Sequence, residues 1–372
     1  MKGVLLFLVV LLITVAAVLW IRHGGGNTYS DLTGTPRLHA EALEEVLTYP
    51  EPVGNVAVSS TGRIFFTVHP ESRPHGNKLL EYVDGASIPF PSPRQQSELF
   101  DTPLGIAIDR LNRLWVIDHG NHGLRSARIV AIDLETGKVL RDQHLDETIA
   151  PAGSLLQDLQ VSADGRTIVI ADASFWRKSP ALIVYDVETG EARRVLEGHP
   201  TVSAENFVIR TDGKPMQFLG GMVALRGGVD GIALGPEWLY YGALNGSGLY
   251  RIRLKDLLNR GLPASQLAKT IERHSNKPLS DGLSIDTDGS VYVTDVEHGA
   301  IFKIGPDSGL TTLIKSPRLR WPDALSFGPD GYLYVADSAL PELILKSDEH
   351  IRAQGPYQIF RFQTGSLGNP GQ

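Results

Sequence analysis

The chain contains no cysteine. That excludes disulfides, a thiol nucleophile, iron–sulfur clusters and cysteine-based zinc sites. It also lacks a basic excess. Thirty-five Lys and Arg face 42 Asp and Glu, a formal charge of −7, which is the wrong sign for a chain that binds nucleic acid by releasing counterions. No G-x-S-x-G elbow, P-loop, dinucleotide glycine fingerprint or H-E-x-x-H motif occurs. What is abundant is turn chemistry: 39 glycines and 23 prolines in 372 residues, a balance typical of all-β chains.

One long apolar run stands apart from this pattern. Val4 to Ile21 is 18 residues with Thr14 as its only polar member, long enough to span a bilayer and longer than a usual signal-peptide core. Lys2 precedes it and Arg22 follows. Residues 1–23 are therefore expected to be a signal anchor or signal peptide that exports the bulk of the chain to the periplasm or the cell exterior. Residues 24–37 read as a Gly/Ser/Thr/Pro tether.

The remainder is a repeat. Gly282-Leu-Ser-Ile-Asp-Thr-Asp-Gly-Ser-Val-Tyr-Val-Thr-Asp295 and Ala324-Leu-Ser-Phe-Gly-Pro-Asp-Gly-Tyr-Leu-Tyr-Val-Ala-Asp337 are its clearest copies. Others start at Gly105, Asp158 and Gly231, and a degenerate one at Asn55. The spacings are 50, 53, 73, 51 and 42 residues. Each copy has a short β-forming run, a turn such as Asp164-Gly165 or Asp330-Gly331, and a second apolar run. Asp-Gly suits the positive φ of a tight hairpin. Third and fourth strands follow, as at Arg128–Asp133 and Val139–His144. Four antiparallel strands every 40–50 residues is a propeller blade. The prediction is an all-β, six-bladed propeller over residues 38–365, preceded by one hydrophobic helix and followed by a tail at 366–372. Tyr357–Phe362 supplies a late strand of the last blade, and Ala42–Tyr49 is free to close it. The 73-residue gap places an insertion at about Glu197–Gly228, over one face.

In a blade the first strand lies beside the axis, so the residues just before strand one and just after strand two open on the same face. The former are Gly54, Leu104, Gln157, Asp230, Asp281 and Asp323. Three successive blades thus place Asp at one inner position, and one mouth of the channel should be acidic. Crowded carboxylates take up protons or hold a cation between them. That cation is expected to be a divalent ion (Ca²⁺, Mg²⁺ or Zn²⁺) on Asp230, Asp281 and Asp323, or a small amine ligand. Asp also caps strands by accepting backbone N–H groups, the reading favoured for Asp118, Asp172, Asp295 and Asp337 at the ends of strand two. His119 and His122 follow strand two on the same face, where a His can act as acid, base or ligand. Asn245 and Trp321 are further candidates to line a ligand pocket, and Phe175-Trp176 to wall it.

Arg113-Leu-Trp-Val-Ile-Asp118, Ile129–Leu134, Ala181–Asp186, Gly228–Leu234, Ser280–Ile285 and Arg320-Trp-Pro-Asp-Ala-Leu-Ser326 resemble the major royal jelly/yellow protein family, in its bacterial branch described as dopachrome-tautomerase-related. The resemblance covers residues 50–362. It implies an exported six-bladed propeller that binds a small molecule, such as a biogenic amine, in its channel. It brings no agreed catalytic motif. If chemistry occurs, isomerisation is expected, with Asp281 removing a proton and His119 or water returning it. A second resemblance is to the senescence-marker/gluconolactonase propellers. It rests on Asp230-Gly231 and Asp281-Gly282 and implies metal-dependent lactone hydrolysis. This chain departs from that pattern: Glu51 lies ahead of its first repeat, and Asp stands where Asn is usual. A binding or scaffold protein without chemistry is the third expectation.

Overall fold

The computed structural model describes residues 2–372. Six four-stranded antiparallel sheets surround a central channel. Their innermost strands are Val53–Val58, Pro103–Ile108, Leu156–Val161, Val229–Leu234, Leu283–Ile285 and Pro322–Phe327. These match the six repeat copies. The glycines of the hairpins between first and second strands, Gly165 and Gly331 as well as Gly62 and Gly289, all have positive φ, the conformation that glycine adopts without a Cβ penalty.

The first two strands of each blade are apolar on both faces because blades pack face to face. Val53–Val58 is buried throughout, whereas the outer strand Val139–His144 alternates between half-buried and exposed. The buried apolar residues fall into six clusters, one at each interface between adjacent blades. Glu44–Tyr49 pairs with Tyr357–Gln363 and forms the outermost strand of the sixth blade. The ring is thus closed by joining the two ends of the chain, as the sequence led one to expect.

Three segments outside the blades matter for the site. Residues 24–37 do not hang free. Asn27 forms a bridge with Phe207 of the insertion, and the Arg37 and Leu38 amides donate to Thr312 and Leu313 in the fifth blade. The insertion folds as two small hairpins, 210–215 and 217–224, over one end of the channel. The tail closes the other end. Gly371 and Gln372 exchange backbone bonds with Ile108 and Phe327, and Gln372 also reaches Ser284 and Val161. Four blades are stitched together by the last residues of the chain.

Candidate functional site

In five blades the ladder shifts register at the start of the inner strand: between Val53 and Asn55, Pro103 and Ile106, Leu156 and Leu159, Val229 and Ile232, and Pro322 and Ala324. A bulge turns an extra side chain off the ladder and re-aims it. At 230 and 323 that side chain is Asp. The glycines that follow Asp230 and Asp281 have a steric reason. A Cβ on Gly231 would stand 2.2 Å from the Asp281 carbonyl oxygen, and one on Gly282 would stand 2.4 Å from that of Asp323. Neighbouring inner strands converge there, so Asp-Gly fits where Asp followed by a larger residue does not.

Asp230, Asp281 and Asp323 consequently border one cavity of about 230 Å³ at the insertion end of the channel. Each is bonded differently. Trp321 Nε1 donates to Asp281 Oδ2 at 2.7 Å. Gln157 Nε2 reaches Asp230 Oδ2 only at 3.5 Å. His69 Nε2 lies 3.5 Å from Asp323 Oδ2 without hydrogen-bond alignment, so that oxygen is buried with no hydrogen-bond partner. Asp158 joins them just inside the channel. Burial pushes all four carboxyls up, and repulsion from Asp281 adds at the other three. Asp158 and Asp281 rise to about 7, and Asp230 and Asp323 well above the ordinary carboxyl range. Lys277 is fully buried close by, its Nζ donating to the Ala243 and Pro278 carbonyls and to Ser280 Oγ. Burial pushes its ammonium down to about 7 against the pull of Glu205, Asp230, Asp295 and Asp281.

The opposite wall of the cavity comes from the first two blades and carries His69, Glu71, His119 and His122. His69 Nδ1 accepts the Glu71 amide at 3.1 Å, and His119 Nδ1 accepts the His122 amide at 3.0 Å. Each neutral ring therefore carries its proton on Nε2. Burial lowers His69 to about 4 and His119 to about 3. A neutral His119 offers a hydrogen-bond donor rather than a stored proton. Glu71 Oε1 lies 2.7 Å from His122 Nε2. Burial works against the Glu71 carboxylate, but the His122 hydrogen bond and imidazole charges outweigh it and hold its pKa at about 2.

The other expected residues fall in different places. Phe175 and Trp176 do wall the cavity, together with Phe218, Leu219 and Val223 of the insertion. Trp321 is buried behind Asp281 and is absent from the lining. Asn245 is also fully buried and absent from it. Its amide bonds to the Gly227 amide and to the Phe207 and Leu225 carbonyls, which pins the insertion over the mouth. The strand-two aspartates act as caps. Asp118 accepts the amides of Asp101, Thr102 and Gly120; Asp172 those of Leu155 and Ser174; Asp295 those of Glu297 and His298; Asp337 that of Trp321.

His69, Glu71, Gln157 and Asp158 complete a site that the sequence reading drew too small, with Lys277 buried behind it. His69 and Glu71 occupy in the first blade the place that His119 and His122 hold in the second. The degeneracy of the first repeat hid that equivalence. One divalent ion with ligands at 2.3–2.6 Å draws its donor atoms to within roughly 5 Å of one another. Among the described residues, the triple that meets 4.8 Å is Asp31, Asp295 and His298, not Asp230, Asp281 and Asp323. The mouth aspartates share a cavity without forming a single-ion cage.

Comparison with known proteins places this geometry. A family model described as "Major royal jelly protein" matches residues 102–347. Major royal jelly protein 3 of Apis mellifera is 28% identical over 167 residues, which is 41% of this chain and 29% of that relative's length. The chain therefore matches less than a third of that relative. Among solved structures, the calcium-binding protein regucalcin of Agrobacterium tumefaciens superposes with a TM-score of 0.56 at 15% identity, covering 88% of this chain and 96% of its own. A gluconolactonase of Xanthomonas campestris gives 0.53 at 13% identity, covering 86% and 88%. At such identities the likeness is one of fold.

Proposed function

Because the chain belongs to the major royal jelly protein family, we propose that it is an exported, membrane-tethered propeller that binds a small cationic metabolite at the insertion end of its channel. The observation that carries this reading is Asp323 Oδ2, buried without a hydrogen-bond partner in a cavity it shares with Asp230 and Asp281. A buried carboxylate in an apolar surround is costly unless something pairs with it. A ligand ammonium pairs with it, and the aromatic and aliphatic walls cover the rest of such a ligand. The donor atoms are too widely spread for one metal ion, which favours an amine over an ion. The lipid tether rests on the N-terminal helix, Lys2–His23, with a mean hydropathy of 3.2 and no burial of its apolar window.

Chemistry at this site would be isomerisation of the bound molecule. Asp281, held near 7, is suited to removing a proton at neutral pH. The proton returns from water, with the His119 Nε2–H as a hydrogen-bond donor beside it. The test is calorimetric titration of the full chain in detergent with tyramine and tryptamine, alone and after saturation with Ca²⁺. The expected result is stoichiometric amine binding that Asp323→Asn weakens at least tenfold. Stoichiometric Ca²⁺ binding lost in Asp323→Asn, with no amine binding, would replace this reading by the metal-dependent lactonase that the fold neighbours bring to mind. Binding of neither would leave a scaffold.

A further inference from the structure

The N-terminal helix is rooted beside the cavity, not at an arbitrary point on the propeller. Its last turn lies against Val223–Ala224 of the insertion, and Val223 lines the cavity. His23 is buried against Phe175 and Trp176, with ring centroids at 6.0 and 5.6 Å, and both of those residues also line the cavity. Arg22 donates to the Arg177 carbonyl at 2.7 Å and Arg226 to the Gly24 carbonyl at 2.9 Å. From this root the helix runs outward with its apolar residues exposed. At 1.5 Å per residue its 22 residues span about 33 Å, the thickness of a bilayer's hydrocarbon core. A helix that spans the membrane and ends at the cavity mouth leaves the mouth at the membrane surface.

The rim of the mouth has the matching composition. Trp176 is 44% exposed, Leu219 55% and Leu345 68%, yet all three line the cavity. Leu124, 74% exposed, stands in the loop after strand two of the second blade, on the same face. Large exposed apolar side chains around an opening mark an interaction surface, and Trp is at home at a lipid–water boundary. Arg22 and Arg226 stand at the helix root and bond there to the Arg177 and Gly24 carbonyls and to the Asn206 amide oxygen, not to a carboxylate, so their charge is available to lipid phosphates. The far face carries exposed Leu111 and Leu367, but its channel end is closed by the chain's own tail and no apolar helix leaves it.

We propose that the cavity mouth is seated on the leaflet that holds the N-terminal helix, so that the site opens toward lipid and takes ligands that partition into the membrane. This rests on the tethered reading above and adds an orientation to it. The test uses the full chain in vesicles of phosphatidylcholine and phosphatidylglycerol whose acyl chains are brominated near the headgroup, with tryptophan fluorescence as the readout. The chain has five tryptophans. Trp115 and Trp321 are buried in the propeller, and Trp238 begins a second strand, at the far face. Only Trp20 and Trp176 are placed to meet lipid. The expected result is that Trp20→Phe remains quenched and that Trp20→Phe with Trp176→Phe falls to the level in unbrominated vesicles. Quenching abolished by Trp20→Phe alone would overturn the proposal and keep the tether, since the propeller would then hang away from the membrane. Absence of quenching in the unmutated chain would overturn both.

Discussion

Asp118, Asp172, Asp295 and Asp337 end the second strands of four blades, and Asp230, Asp281 and Asp323 precede the first strands of three. Both sets open on one face of the propeller, and both are buried. The strand-two set sits where the chain turns, amid free backbone amides. Each of its members accepts at least one amide, and Asp172 and Asp337 also pair with Arg194 and Arg320 at 2.8 and 3.0 Å. The inner set lies at the entry of the innermost strands beside the channel axis, Asp230 and Asp323 on bulges and Asp281 on a regular strand entry, where the ladder has no spare donor. It receives one indole N–H, one long amide contact and one misaligned imidazole. Identical side chains at similar depth thus become structural or reactive according to the supply of backbone donors.

The comparison can be broken most forcefully at Asp172. Its carboxylate is fully buried against Arg194, which is itself buried. Asp172→Ala strands two amides and leaves the guanidinium only the half-exposed Glu197, at 3.3 Å, as counter-charge, so a loss of about 3 kcal/mol is expected, at the low end for removing one member of a buried pair. Urea unfolding of the full chain in detergent measures it, and a loss under about 1 kcal/mol would show that Asp172 is no better bonded than the inner ring.

The inner ring should respond in the opposite direction, and with a pH signature. Burial raises the folded-state pKa of Asp281 to about 7 from an ordinary 3.8, and burial and the neighbouring Asp281 raise that of Asp323 well above it too. The folded chain therefore binds more protons than the unfolded chain between about pH 4 and 7. Stability falls as pH rises through that window. Asp323→Asn removes one share of the penalty. It is expected to match the unmutated chain near pH 4 and to be more stable at pH 8, by on the order of 1 kcal/mol. Thermal unfolding across this range, without amine or divalent ion, is the check. A variant less stable at pH 8 would mean that Asp323 is a cap like Asp172.

How far the sequence foretold this molecule follows from the same distinction. The blades were legible because two short apolar β-forming runs flanking a tight turn recur around the ring, with a positive-φ glycine in that turn in four of the six copies. The acidic mouth was legible because strand one and strand two meet the same face in every blade. Glu71 and His69 were not, since the first repeat retains Thr61-Gly62 but little else of the pattern. Asp158 becomes part of the site only through convergence of the inner strands at the axis, and Lys277, just past the outermost strand of the fourth blade, is buried behind it; no single repeat encodes either. Asn245 and Trp321 were placed on the correct face but at the wrong depth. Each supports the cavity from behind, one by holding the insertion and the other by bonding Asp281. The tail and the tether were read only as segments outside the blades, and their pairing depends on backbone amides that composition does not reveal.

Trp321 gives the finest test of the comparison, because it supplies the one well-formed hydrogen bond in the inner ring. Its indole N–H at 2.7 Å from Asp281 Oδ2 favours the charged carboxylate. Trp321→Phe keeps an aromatic ring in the fully buried site and deletes the donor. A hydrogen bond of about 1.4 kcal/mol corresponds to one pH unit, so the Asp281 pKa should rise from about 7 by roughly that amount. Smaller packing at 321 also lowers stability, but it does so equally at every pH. The discriminating readout is therefore the pH midpoint of tyramine binding between pH 5 and 8.5. An upward shift of about one unit assigns Trp321 the positioning of Asp281. An unmoved midpoint with weaker binding throughout would make it packing alone, and would leave the inner ring without any bonded member.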